Sequence, residues 1–190
     1  MRIKFDHVFQ FKVTLKGIKP PIWRRIIIPS DYDFWDLHVA IQDAFGWLDC
    51  HLHEFSVRQP FMRMDLRIGI PDGEGFDDNM VLPGSAILLA QHLTLANRRV
   101  SYVYDFGDDW EHDILLEKIL PRDKSEAYPL CTGGRRAGPP EDCGGVPGYE
   151  QLLEAPADPV HPEHTSLREW VGGGVDPESF AQDEGAVDDP

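Results

Sequence analysis

Between His7 and Leu15 apolar and polar residues alternate without a break. Phe9, Phe11, Val13 and Leu15 fall on one side, Gln10, Lys12 and Thr14 on the other. A period of two marks a strand with one face in a core and the other in water. Gly17, Pro20 and Pro21 then punctuate the chain, and a β-branched run over 22–28 follows until Pro29 stops it. The two segments predict a hairpin, so the rest of the chain must supply an apolar cover for one face of a sheet.

The cover is legible just downstream. Phe34, Leu37, Ile41, Ala44 and Phe45 recur at helical spacing. Asp31 or Asp33 can cap the helix, Asp36 sits where the helix dipole favours a carboxylate, and Gly46 is a natural stop. Strands are predicted over 52–57, 100–106 and 110–119, the last two around the turn at Gly107, Asp108 and Asp109. Residues 60–84 are mixed, with loop signals at 72–75 and 77–79, and a short helix is predicted over 86–95. The Pro- and Gly-rich stretch 121–147 reads as a long irregular loop, and long loops are often functional. Short helices are expected over 148–154 and 163–171. The order predicts an α+β fold. It would be one domain over 1–180 with a curled, mostly antiparallel sheet (a roll, β-grasp-like) over the helix at 34–45, and an acidic tail at 181–190.

Composition narrows the function classes. With 190 residues, 42% of them hydrophobic and 11% aromatic, the chain can build a real core, which rules out wholesale disorder. No apolar run reaches a membrane span, and no apolar stretch follows Arg2 and Lys4 as in a secretory signal. Three cysteines, Cys50, Cys131 and Cys143, with no C-x-x-C spacing do not make a disulfide framework, so a reduced, cytoplasmic setting is expected. The net charge of −15 argues against general nucleic-acid binding. It is also uneven. Residues 1–70 carry 10 basic and 8 acidic side chains, residues 71–120 carry 3 and 10, and residues 121–190 carry 5 and 15. The acidic part is either a solvated face or a surface for a basic partner or a cation.

Four constellations have chemical content. Strand alternation aims His51 and His53 from one strand and Trp110 and His112 from another toward a common face, with Glu54, Asp105, Asp108 and Asp109 close in sequence. Buried imidazoles must be hydrogen-bonded or ligated. His51, His53 and His112 are therefore candidates either for a His/carboxylate metal site that activates water or for a polar network ordering the sheet edge. Cys131 and Cys143 flank the Pro-Pro-Glu-Asp segment and could join a structural zinc site or simply pack as thiols. Glu141 and Asp142 beside two glycines could do acid–base work or latch a tight loop through backbone N–H groups. Trp23 with Arg24 and Arg25, the pair Arg98 and Arg99, and the pair Arg135 and Arg136 could grip phosphate, but the surrounding negative charge favours salt bridges.

Seven strings carry a resemblance that spans about residues 7 to 180. They are PIWRR at 21–25, DLH at 36–38, AFGW at 44–47, HLHEF at 51–55, YDFGDDWEH at 104–112, PPEDCGG at 139–145 and GY at 148–149. In this order they resemble the family named after the third open reading frame of the Ri plasmid. The resemblance implies an α+β fold and the company of plasmids and mobile elements, and it brings no established reaction. The resolvase label that some relatives carry does not transfer. The first serine, Ser30, lies in a helix-start segment without the clustered arginines a serine recombinase needs. The resemblance also implies a cysteine before the Pro-Pro pair, where this chain has Gly138, which removes a potential zinc ligand.

The leading functional expectation is a non-catalytic interaction domain that binds a protein or peptide partner. The alternative is a metal-dependent hydrolase, with zinc as a possible cofactor, and a nucleic-acid role tied to mobile elements comes third. The candidate pocket is His51, His53, Glu54, Asp105, Asp108, Asp109, His112, Glu141 and Asp142.

Overall fold

The computed structural model describes residues 5–60, 64–71, 80–155, 158, 160–170 and 176–180. The loop signals at 72–79 and the acidic tail at 181–190 lie outside them. The alternating segment forms β1 (His7–Leu15) and the β-branched run forms β2 (Trp23–Pro29), paired antiparallel as a hairpin. Helix α1 (Phe34–Phe45) begins with a reciprocal box in which the Asp33 side chain accepts from the Asp36 backbone and the Asp36 side chain accepts from that of Asp33. It ends on Gly46 at φ 78°, a left-handed cap that costs glycine little.

The chain continues through β3 (His53–Val57), β4 (Leu66–Gly69), the two-residue β5 (Leu82–Pro83) and the four-residue helix α2 (Leu89–His92). β6 (Arg99–Tyr104) and β7 (Trp110–Pro121) follow, then β8 (Leu130–Arg135), α3 (Gly145–Glu154) and α4 (His164–Trp170). The eight strands make one open sheet in the order β5-β4-β3-β6-β7-β1-β2-β8, antiparallel except between β4 and β5. This is the α+β, single-sheet architecture expected from the sequence.

Two local expectations are corrected. The irregular loop over 121–147 contains β8, which pairs antiparallel with β2 from Trp23↔Arg135 to Ile27↔Leu130 across a bulge. The helix expected over 86–95 shrinks to α2 and a 3₁₀ turn at Gly84–Ala86.

α1 lies across the inward face of the sheet. Phe34 packs edge-on against Phe55 at 5.2 Å between ring centroids, and Phe45 against His112 at 5.1 Å. Leu37 and Ile41 of α1 and Phe11, Val13, Ile26, Tyr102 and Trp110 of the sheet are essentially buried. Arg24, buried on the same side, donates from Nε to the Ala44 carbonyl at 2.6 Å and so closes the last turn of α1. The outward face is polar. Glu117 takes a two-pronged contact from Arg25 at 2.7 and 3.1 Å, and Glu54 one from Arg67 at 2.9 and 2.6 Å.

Candidate functional site

Strands β3, β6 and β7 lie side by side, with His53 opposite Tyr104, Tyr102 opposite His112 and Tyr104 opposite Trp110. Because side chains alternate, these five residues all face α1. The strand period aims His53 and His112 into the core as expected, whereas His51, expected beside them, precedes β3 and stays part-exposed at the open end of the strands. The same period sends Glu54 to the opposite face, where Arg67 holds it away from the other candidates.

His53 meets a residue that strand alternation does not mark. His38, one turn after Phe34 on α1, stacks on it at 3.5 Å between centroids and 12° between planes. His38 Nδ1 is 2.8 Å from Tyr102 Oη, and His38 Nε2 is 2.8 Å from Asp49 Oδ1. Gln42 Nε2 donates to Tyr102 Oη at 3.1 Å, and the Asp49 backbone N–H donates to Gln42 Oε1 at 3.1 Å. One proton arrangement satisfies every member of this ring. Gln42 donates to Tyr102, Tyr102 donates to His38 Nδ1, and His38 donates from Nε2 to Asp49. Burial pushes the His38 pKa down to about 3, which keeps it neutral, and burial also raises the Tyr102 hydroxyl well above its ordinary value. The carboxyl of Asp49, partly buried, is raised as well.

His53 has no place in that ring. It is 2% exposed, and neither of its nitrogens has a hydrogen-bond partner. Burial, then the neighbouring His38, pushes its pKa down to about 3. His112 is likewise fully buried without a partner of normal geometry, set among Phe45, Trp47 and Tyr102. Burial lowers its pKa to about 3, opposed by the backbone of Trp110 and Tyr102.

A second group sits at the open end of the same strands. His51 Nε2 lies 3.0 Å from Asp142 Oδ1 and 3.7 Å from Asp105 Oδ2. Three segments converge here: the connection 46–52, the turn 105–109 and the segment 139–145. Asp105 has a left-handed backbone at φ 55°, its N–H donates to the Leu52 carbonyl, and its Oδ1 accepts from Gly107 N at 2.9 Å. Asp108 Oδ2 accepts from Gly144 N at 3.1 Å. Glu141 Oε1 accepts from Leu48 N at 2.8 Å and from Tyr104 Oη at 3.0 Å. Burial and that bond to Glu141 hold the Tyr104 hydroxyl protonated, far above its ordinary range. Glu141 and Asp108 thus tie the Pro-Pro segment to the sheet. Gly145, at φ 66°, comes so close that an added Cβ would lie 2.3 Å from the Asp108 carbonyl.

The nine candidates therefore separate. Asp105, Asp108, Glu141, Asp142 and His51 gather at the mouth, and Asp109 lies in the adjoining turn. His53 and His112 are inside, and Glu54 is on the far face. Among the described residues, two groups bring three potential metal ligands within 4.8 Å of one another: His38, Asp49 and His53, and His51, Asp105 and Asp142. His112, Cys131 and Cys143 belong to neither. Burial raises both thiols, Cys143 to about 12, so they stand as packed thiols rather than thiolates. At Gly138 an added Cβ would lie 2.2 Å from the Phe45 carbonyl, so this path of the chain has no room for a third cysteine. The arginines divide too. Arg25 and Arg136 pair with Glu117 and Glu178, whereas Arg24 is spent on carbonyls and sits over Phe45 and Phe180.

Fold and site together define an α+β protein of one open sheet, with a histidine-bearing inner face and a carboxylate-lined mouth at one end of β3, β6 and β7. The chain belongs to the plasmid pRiA4b ORF-3-like protein family, whose pattern it matches over residues 7–184. It is 38% identical over 186 residues to the uncharacterized protein y4hQ of Sinorhizobium fredii, covering 96% of this chain and 91% of that one. It is also similar to the crystal structure of a protein of unknown function, MM3350, from Methanosarcina mazei Go1. That likeness has a TM-score of 0.87 and 42% identity, over 95% of this chain and 98% of the other. Among the described residues, no helix is long and apolar enough to cross a membrane.

Proposed function

We propose that the chain is a non-catalytic interaction domain, that its binding face is the mouth formed by 46–52, 105–109 and 139–145, and that its partner is a protein segment presenting arginine or lysine beside apolar side chains. The observation that carries this reading is the rim. Leu48, Leu52 and Phe106 are 77%, 53% and 56% exposed, while their neighbours Trp47, Tyr104 and Trp110 are buried. Leu48 is tied to Tyr104 through Glu141, Leu52 bonds to Asp105, and Phe106 follows Asp105 in the chain. Three large apolar side chains left in water around one carboxylate cluster mark an association surface. Asp142, 72% exposed, supplies an accessible negative charge there, and the net charge of −15 favours encounter with a basic partner.

The test is fluorescence anisotropy with a labelled peptide of alternating arginine and leucine, beside the same peptide with glutamate for arginine. Only the arginine peptide is expected to bind. Asp142→Asn should weaken it ~5-fold, the size of one exposed ion pair. Phe106→Ser should weaken it ~10-fold or more by removing a buried aromatic contact. Equal binding of both peptides, or binding indifferent to both substitutions, overturns the proposal.

A further inference from the structure

Behind the mouth, sharing only Asp49 of the connection 46–52 with it, lies a second site. We infer that His38, Asp49 and His53 form a binding site for one divalent transition-metal ion, with zinc the best match. Each residue offers one ligand atom, and the three atoms lie within 4.8 Å of one another. They come from two elements and the loop between them, α1, the connection 46–52 and β3, so the fold itself brings them together.

The decisive group is His53. An imidazole 2% exposed with two unbonded nitrogens leaves its polar atoms unsatisfied. Left bare, such a group keeps the full penalty of having been taken out of water. Its ring stacks on that of His38, and one of its nitrogens lies within 4.8 Å of the ligand atoms that His38 and Asp49 offer, so a small tilt of the ring brings it onto a shared ion. His38 already has the support a metal-bound histidine requires, because its far nitrogen rests on Tyr102 Oη and Tyr102 is held in turn by Gln42. In the metal-free ring the His38 Nε2–H points at Asp49 Oδ1, and a cation would take the place of that proton. The imidazole then carries its hydrogen on Nδ1, donates it to Tyr102 Oη, and gives the Nε2 lone pair to the metal; the Tyr102 hydroxyl hydrogen has to turn away from His38, and the exchange gains or loses no net proton.

Asp49 fixes the approach. Its backbone is anchored on Gln42, while its side chain is 36% exposed, so the group is open to solvent on that side and closed elsewhere. Two neutral imidazoles and one carboxylate suit zinc and its first-row neighbours better than magnesium or calcium, which prefer oxygen. Three protein ligands and an open side leave a position for water or an incoming group.

The experiment uses the full chain purified without a histidine tag, stripped with a chelator and equilibrated with zinc or cobalt alone. Wild type should hold one equivalent of zinc and give visible d–d absorption with cobalt. His53→Phe, which fills the buried space with a similar ring, should abolish both. Asp49→Asn, at a partly exposed residue, should lower zinc affinity at least 10-fold with the circular dichroism unchanged. His112→Phe and His51→Ala should keep one equivalent. Wild type that folds and takes no metal overturns the inference. So does a folded His53→Phe that binds as wild type does, or loss of metal in His51→Ala, which would assign the ion to the mouth. Peptide binding is read separately, so either proposal can fail alone.

Discussion

His112 is fully buried and carries no charge at neutral pH, so its proton balance is a stability term. An imidazole with a folded pKa of about 3 and an ordinary value of 6.5 withholds a proton that the unfolded chain takes up. Its contribution is complete above pH 6.5 and is lost as pH falls toward 3, at up to ~1.4 kcal/mol per pH unit. His112→Phe should therefore leave urea stability at pH 7 nearly unchanged and exceed wild type by ~2 kcal/mol at pH 5. Parallel wild-type and variant curves across that range would contradict it. At Gly145 the penalty is steric. Gly145→Ala combines φ 66° with a Cβ 2.3 Å from the Asp108 carbonyl, so urea midpoints should show a loss of ~2 kcal/mol or more. At this scale the sequence is uneven reading. His53 and His112 are legible because a strand's period is two. His38 sits one helical turn after Phe34 and reads as part of an apolar stripe, though the DLH string holds it. Asp49 follows Gly46 in a segment without periodicity. Only the packing of α1 across β3 and β6 makes these two residues neighbours of His53.

At the scale of elements, α1 is specified twice, by its own ends and by a distant strand. The Asp33–Asp36 box closes the start, and Asp33→Ala should cost ~1 kcal/mol in chemical denaturation. The end depends on Arg24 of β2, which donates to the carbonyls of Ala44, Trp23 and Arg135 and thereby joins α1, β2 and β8. Arg24→Met removes these donors and should cost ~2–3 kcal/mol. Arg24→Lys should recover little of it, because an ammonium cannot span three carbonyls as a planar fork does. The hairpin and α1 are plain in the sequence because periodicity, caps and stops agree. β8 is hidden because Gly133 and Gly134 have poor strand propensity, and its existence depends on pairing with β2, more than a hundred residues away.

At the scale of the whole molecule, negative charge concentrates in the sequence from residue 71 onward, and part of it gathers at the mouth beside an apolar rim. The α+β architecture was legible from strand and helix periods together with the seven strings. The mouth was legible only in part. The sequence marks Asp105, Asp108, Glu141, Asp142 and His51 by type and spacing, yet Leu48, Leu52 and Phe106 look like ordinary core residues until the fold leaves them in water. An association steered by charge and held by these three side chains should weaken with salt yet persist at high ionic strength, since screening reaches the carboxylates and not the apolar contact. The most direct measurement of the binding face is a heteronuclear NMR titration of the labelled chain with the arginine–leucine peptide. Shifts confined to the amides of 46–52, 105–109 and 139–145 are predicted. Shifts centred on the outward face of β1, β2 and β7, or none at millimolar peptide, would contradict the account.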